Sequence, residues 1–226
     1  MEIIGHRGAA GVELENTIES IKAAIEIGVK YIEIDVRETF DNQLVVFHDP
    51  YLERVSHEKG FIKEVTYEKL QKIRLHNGSS IPLLAEILPL IKNKNIKLIV
   101  EAKTDTSVLL AKALLLKKLD YTQFIIGSFF HENIRKIKEE NPRIQTAIML
   151  EGVPVLFSDY LQKVNPDFVV TSIETLNDSL EKVTKNQKRK LIFYTVNTEV
   201  EMQIAAKMKP FGIITNYPNL FIQKEN

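Results

Sequence analysis

A closed (β/α)8 barrel, an α/β TIM-type architecture, is the fold class predicted for this 226-residue chain. Three observations predict it. Short runs rich in β-branched and aromatic residues recur along the chain, the pattern of strands buried on both faces. Helical patterns separate them, which makes the sheet parallel. The recurrence is regular: from residue 97 onward successive strands begin 25, 23, 22, 23 and 21 residues apart. A doubly wound open sheet is the weaker alternative, because no Gly-x-Gly-x-x-Gly follows the first strand.

The first strand is EIIGH (2–6). The helix after it is bounded by Asn16 as N-cap, Glu19 at the capping-box position and Gly28 as the stop. The second strand is YIEIDV (31–36). LVVFHD (44–49) follows too closely for a parallel crossover, which needs about a dozen residues or more. Asp41-Asn42 is therefore read as a tight turn and 37–48 as a hairpin, bringing His48 back toward Glu33 and Asp35. Residues 50–82 form an excursion with one short helix at 66–73. It is expected to be a small cap inserted after the second barrel strand, within a single domain spanning 1–226. A helix at 83–93 leads to strands beginning at 97, 122, 145, 167, 190 and 211, with helices expected at 106–118, 131–140, 154–164, 176–187 and 199–208.

Composition narrows the function classes. Basic and acidic residues balance at 30 each, without a like-charge block, which argues against a nucleic-acid partner or a polybasic membrane anchor. There is no cysteine, hence no thiol nucleophile, disulfide or zinc–thiolate centre. No signal peptide is visible, and a cytoplasmic location is the expectation. The most apolar helix, 108–119, is interrupted by Lys112, Lys117 and Lys118 and falls short of the about 20 apolar residues of a membrane span. Its apolar face is read as packed on the barrel or as a subunit contact in a homo-oligomer.

Strand ends carry the chemistry. Glu33 and Asp35 are two apart and share a face; Glu101 and Lys103 do the same on the next barrel strand. Acids inside such apolar runs are costly to bury without positive charge nearby. They form either salt bridges with Arg7, Arg37 and Lys103 or a cation site. Three carboxylates with no thiolate favour a hard divalent cation, Ca2+ or Mg2+. His6 and His48 fall at strand ends beside these acids and suit an acid–base pair. Arg7 and Lys103 suit the charge of a phosphoryl group.

The segments HRG (6–8), ENT (15–17), EIDV (33–36), VVFHD (45–49), IPLLAEIL (81–88), VEAK (100–103), SF (128–129), VN (196–197) and IITNYP (213–218) occur in this order over nearly the whole chain. The ordered set resembles the glycerophosphodiester phosphodiesterase family. The resemblance implies a TIM barrel with a small insertion after the second strand. It also implies hydrolysis of a small-molecule glycerophosphodiester to sn-glycerol 3-phosphate and an alcohol. His6 and His48 match the family's base and acid pair, Glu33, Asp35 and Glu101 its metal ligands, and Arg7 and Lys103 its phosphate contacts. Four positions depart from the family pattern. Leu14 replaces a proline, Asp41-Asn42 replaces Asp-Gly, Tyr194 replaces a tryptophan and Asn216 replaces an aspartate.

Lesser signals remain open at this level. Phe129 packs against substrate or belongs to the core. Asn197 contacts substrate or caps the helix starting near 199. Glu151 and Glu174 read as solvated, and His57, His76 and His131 as surface or cap residues. Spacing alone also admits a non-catalytic barrel that binds phosphate esters, and a lysophospholipase D. The charged cap residues Arg54, His57, Glu58, Lys59, Lys63 and Glu64 favour soluble, deacylated substrates over lipid-like ones.

Overall fold

The computed structural model describes residues 1–222. Nine strands occur among them: β1 (Glu2–Gly5), β2 (Tyr31–Glu38), β3 (Leu44–Val46), β4 (Lys97–Ala102), β5 (Phe124–Ser128), β6 (Thr146–Leu150), β7 (Phe168–Ser172), β8 (Lys190–Tyr194) and β9 (Gly212–Thr215). All except β3 are parallel neighbours and close into an eight-stranded barrel through pairing of β1 with both β2 and β9. The helices are α1 (Ile18–Ile27), α2 (Tyr67–Leu70), α3 (Leu84–Ile91), α4 (Asp105–Lys118), α5 (His131–Glu140), α6 (Phe157–Val164), α7 (Asp178–Asn186) and α8 (Glu199–Ala206). All but α2 connect barrel strands. A 3-10 turn at Pro218–Leu220 follows β9.

The expected hairpin is present. β3 runs antiparallel to the upper end of β2, with Val36 opposite Val46, and Asn42 takes a left-handed φ of 56° in the turn. Residues 50–82 then form the excursion between β3 and α3. Its α2 is shorter than the predicted helix, and a 3-10 turn at Ile62–Glu64 precedes it. Leu52, Val55, Ile62, Leu70, Leu75 and Ile81 pack there with Val45 and Phe47 as an apolar cluster separate from the barrel's own.

Alternation along the strands sorts the barrel residues. Ile32, Ile34, Leu98, Val100, Ile126 and Ile148 pack outward with the helices. Ile4, Ile99, Ile125, Ala147, Met149, Phe168, Val170, Ile192 and Ile214 fill the interior. At Gly127 a Cβ would lie 2.6 Å from Met149 Cε, so the missing side chain makes room for the methionine. Phe168 stands edge-to-face with Phe211 at 5.4 Å near the amino-terminal end of the barrel, under the Lys190 ammonium.

Four local readings are corrected. Thr17, not Asn16, caps α1, its side chain accepting from the Ser20 amide. Asn16 has a left-handed φ of 58° and turns its amide to Asp35 instead. Thr198, not Asn197, caps α8. Helix α6 begins only at Phe157, after Leu156 in left-handed geometry. His131 is built in rather than loose: its Nε2 lies 2.7 Å from the Met149 carbonyl and its Nδ1 meets the Tyr160 hydroxyl. On α4, Val108, Ala111 and Leu115 are buried against the barrel while Leu109 and Leu116 face outward.

Because Phe168 is 1% exposed in the barrel interior, Phe168→Ala should cost about 3–5 kcal/mol of stability. Urea unfolding should show a lower midpoint with an unchanged slope. An unchanged midpoint would contradict the assigned interior.

Candidate active site

The interior parity that puts apolar residues in the barrel centre puts polar ones at its carboxyl-terminal mouth. Two residues beyond Ile4, Ile99, Met149 and Ile192 stand His6, Glu101, Glu151 and Tyr194; Lys103 and Phe129 lie a further step along β4 and β5. On β2, Glu33 and Asp35 share the inward face with Tyr31. Register sets Asp35 beside Glu101 across the β2–β4 pair. A cavity of about 230 Å³ opens here. His6, Arg7, Glu33, His48, Glu101, Lys103 and Phe129 line it, opposite Glu151, Tyr194 and Thr195.

Glu33, Asp35 and Glu101 are 2%, 1% and 8% exposed, and each offers an oxygen within 4.8 Å of the others. Burial alone would raise all three carboxyls. For Asp35 the cations outweigh burial. Lys103 Nζ sits 2.9 Å away, Arg7 Nε 3.1 Å away, and Asn16 Nδ2 donates at 2.8 Å, so Asp35 is held far below the usual carboxylate range. Glu33 goes the other way. Burial, then Asp35 and Glu101, push it well above its ordinary value. Lys103 also pairs with Glu101.

One Glu33 oxygen, Oε2, accepts the Arg7 amide at 3.0 Å. The other, Oε1, is buried with no hydrogen-bond partner among the described residues. An orphaned carboxylate oxygen beside two more buried acids fits a hard divalent cation, and the residues present supply its all-oxygen donor set. The tight HRG turn makes this arrangement reachable. Arg7 and Gly8 both take positive φ, 50° and 89°, and a Cβ on Gly8 would collide with Ser20 of α1.

The two imidazoles have different supports. His6 Nδ1 donates to Asn216 Oδ1 at 2.6 Å, leaving Nε2 toward the acids, 3.9 Å from Glu33. Burial, and then Arg7, push the His6 pKa down to about 4. His48 Nδ1 meets a carboxylate instead, Asp49 Oδ1, at 2.6 Å. Burial lowers His48 as well, against the raising influence of Asp35 and Asp49.

Of the nine residues expected from sequence, seven line the cavity and Asp35 stands directly behind it in the acid cluster. Phe129 is at the mouth, 40% exposed, with Lys103 Nζ 5.9 Å from its ring centroid. Asn197 is not in the lining. Its Oδ1 accepts the Asn216 amide at 2.9 Å, one step behind His6. Sequence reasoning missed Asp49, took Asn16 for a cap, noted Asn216 only as a departure from the family pattern and read Glu151 as solvated; Glu151 is exposed and also lines the cavity. Asp49 was signalled by its adjacency to His48, and Glu151 by its parity with Met149.

A barrel with three buried acids, two supported imidazoles and two cations at its carboxyl-terminal mouth is, by class, an enzyme barrel with a metal-competent centre. Comparison with known proteins gives the family. Residues 6–220 match the signature of the Glycerophosphoryl diester phosphodiesterase family, and the chain belongs to it. It is accordingly a phosphoric diester hydrolase. Bacillus subtilis YhdW is 31% identical over 240 residues, covering 99% of this chain and 97% of that protein. A glycerophosphodiester phosphodiesterase of Caldanaerobacter subterraneus subsp. tengcongensis is 29% identical, covering 97% and 96% of the two chains. The fold is shared with an Oleispira antarctica phosphodiesterase solved in complex with the product sn-glycerol-3-phosphate. That match has a TM-score of 0.90 at 21% identity and covers 97% of this chain and 94% of the other.

A cation bound to the native acid cluster should stabilise the fold by about 2.7 kcal/mol at a hundred times its Kd. Thermal unfolding of metal-stripped protein should therefore shift upward on adding Ca2+ or Mg2+, and the shift should vanish in Glu33→Gln and Glu101→Gln. An equal shift in those variants would locate the ion elsewhere.

Proposed function

We propose that this chain hydrolyses glycerophosphodiesters to sn-glycerol 3-phosphate and a free alcohol, with His6 and His48 moving the protons. The proposed cation is Ca2+ or Mg2+, held by Glu33, Asp35 and Glu101. The observation that carries the reading is the pair of imidazoles facing the cavity of the acid cluster, each with its rear nitrogen already committed.

When bound, the ion would neutralise phosphate charge and orient an oxygen nucleophile. Arg7 and Lys103 line the same cavity and meet the non-bridging phosphate oxygens, where charge accumulates in the transition state. The neutral Asn216 carbonyl keeps the proton on His6 Nδ1, so the Nε2 lone pair is free to take one from the attacking oxygen, either water directly or the glycerol hydroxyl, with water then opening the cyclic phosphate. Behind His48 stands a carboxylate, which favours the imidazolium needed to protonate the departing alcohol. Phe129 and Tyr194 offer apolar surface to the carbon skeleton of the substrate. Asn197 acts indirectly in this scheme, by fixing the Asn216 backbone.

His48→Ala and Glu101→Ala should each lower turnover of glycerophosphocholine by more than about 100-fold while the barrel still folds. Release of glycerol 3-phosphate, coupled to glycerol-3-phosphate dehydrogenase with Ca2+ or Mg2+ present, measures it. Near-wild-type turnover in either variant would refute the assignment. Tight product binding without metal-dependent release would reduce the protein to a phosphate-ester-binding barrel.

A further inference from the structure

Arg54, from the segment that follows the hairpin, reaches toward the site behind His48. Its Nε donates to Asp49 Oδ2 at 2.5 Å and its NH2 lies 3.3 Å from Asp49 Oδ1, so it engages both oxygens of the carboxylate behind His48. The same guanidinium grips both oxygens of Glu15, at 2.9 and 2.6 Å. Glu15 in turn accepts from Arg7 at 2.8 Å, and Arg7 pairs with Asp35. Acids and guanidiniums thus alternate without a break from His48 to the acid cluster, and Arg54 joins Asp49 to Glu15 in that run.

The backbone that carries Arg54 is rigidly mounted. Leu52 and Val55, on either side of it, are 1% and 6% exposed within the excursion's own apolar cluster. The Arg54 side chain itself is 43% exposed. The carboxylates it grips, Glu15 and Asp49, are only 16% and 11% exposed, and the grip is bidentate and networked, so these contacts add to stability as well, and stability alone does not distinguish their role. The fork geometry also supplies orientation. With both oxygens engaged, the Asp49 carboxylate cannot rotate away from the His48 ring.

We propose that Arg54 is a positioning residue: through Asp49 it fixes the ring of His48, and the excursion that carries it thereby takes part in the reaction. The inference rests on His48 being a proton-transfer group. Arg54→Met keeps the aliphatic stem and deletes the guanidinium; Arg54→Lys restores a charge but not the bidentate grip.

Steady-state kinetics on glycerophosphocholine, run well below the lowered melting midpoint of the variant, should give an Arg54→Met kcat lower by about 30-fold, typical for the loss of an outer-shell partner, with a nearly unchanged KM. Arg54→Lys should fall between that variant and wild type. Imidazole 15N spectra give a readout independent of turnover. The His48 Nδ1 proton should be exchange-protected in wild type, exposed in Arg54→Met and partly protected in Arg54→Lys. An Arg54→Met kcat within about twofold of wild type would overturn the proposal, since a positioning loss costs about tenfold or more. So would an unchanged His48 Nδ1 signal in either variant, whatever the rate. Were wild type itself inactive, the hydrolase reading would fail, and the imidazole spectra would still decide whether Arg54 orients His48.

Discussion

Three carboxylates buried within one barrel interior are the constraint on which the rest of the site depends. Glu33, Asp35 and Glu101 stand on two paired strands, nearly out of contact with solvent. An isolated charge so placed would be strongly destabilising, and three would repel one another as well. The chain answers with Lys103 and Arg7, which ion-pair with Asp35 and hold it charged. Two cations do not offset three acids. Glu33 is left with a raised pKa and an unpartnered oxygen, a shortfall that a divalent cation would make good.

This balance explains the surrounding architecture. Arg7 must lie over Asp35, which calls for a turn in left-handed geometry directly after β1 and a glycine packed against α1. Asn16 gives its amide to Asp35, and the task of capping α1 passes to the next residue, Thr17. The hairpin after β2 carries His48 back over the same acids, and the next residue, Asp49, holds its ring. A barrel of parallel strands provides all this because every strand delivers its carboxyl end to one mouth.

Much of this is legible in the amino-acid sequence. Strand identity follows from runs that alternate into both an inner and an outer core, and the same period of two put Glu33 with Asp35 and Glu101 with Lys103. The hairpin followed from a loop too short for a crossover. The supporting contacts were not readable, for a physical reason. His6 and Asn216 are 210 residues apart in sequence, Arg54 and Glu15 39 apart, and nothing in local propensity encodes such pairings. Asn16 shows the converse: its residue type and place before a helix argue for a cap, and a tertiary demand from Asp35 overrides them. Asn197 is similar, drawn from the helix start to the backbone behind His6.

The central claim, that these three acids act as one cation site, is tested most directly by anomalous scattering from crystals soaked in Mn2+. The account predicts one strong peak at the barrel mouth, within about 2.0–2.6 Å of an oxygen from each of Glu33, Asp35 and Glu101. A peak bound elsewhere, or none at the mouth while Lys103 stays locked between Asp35 and Glu101, would contradict it.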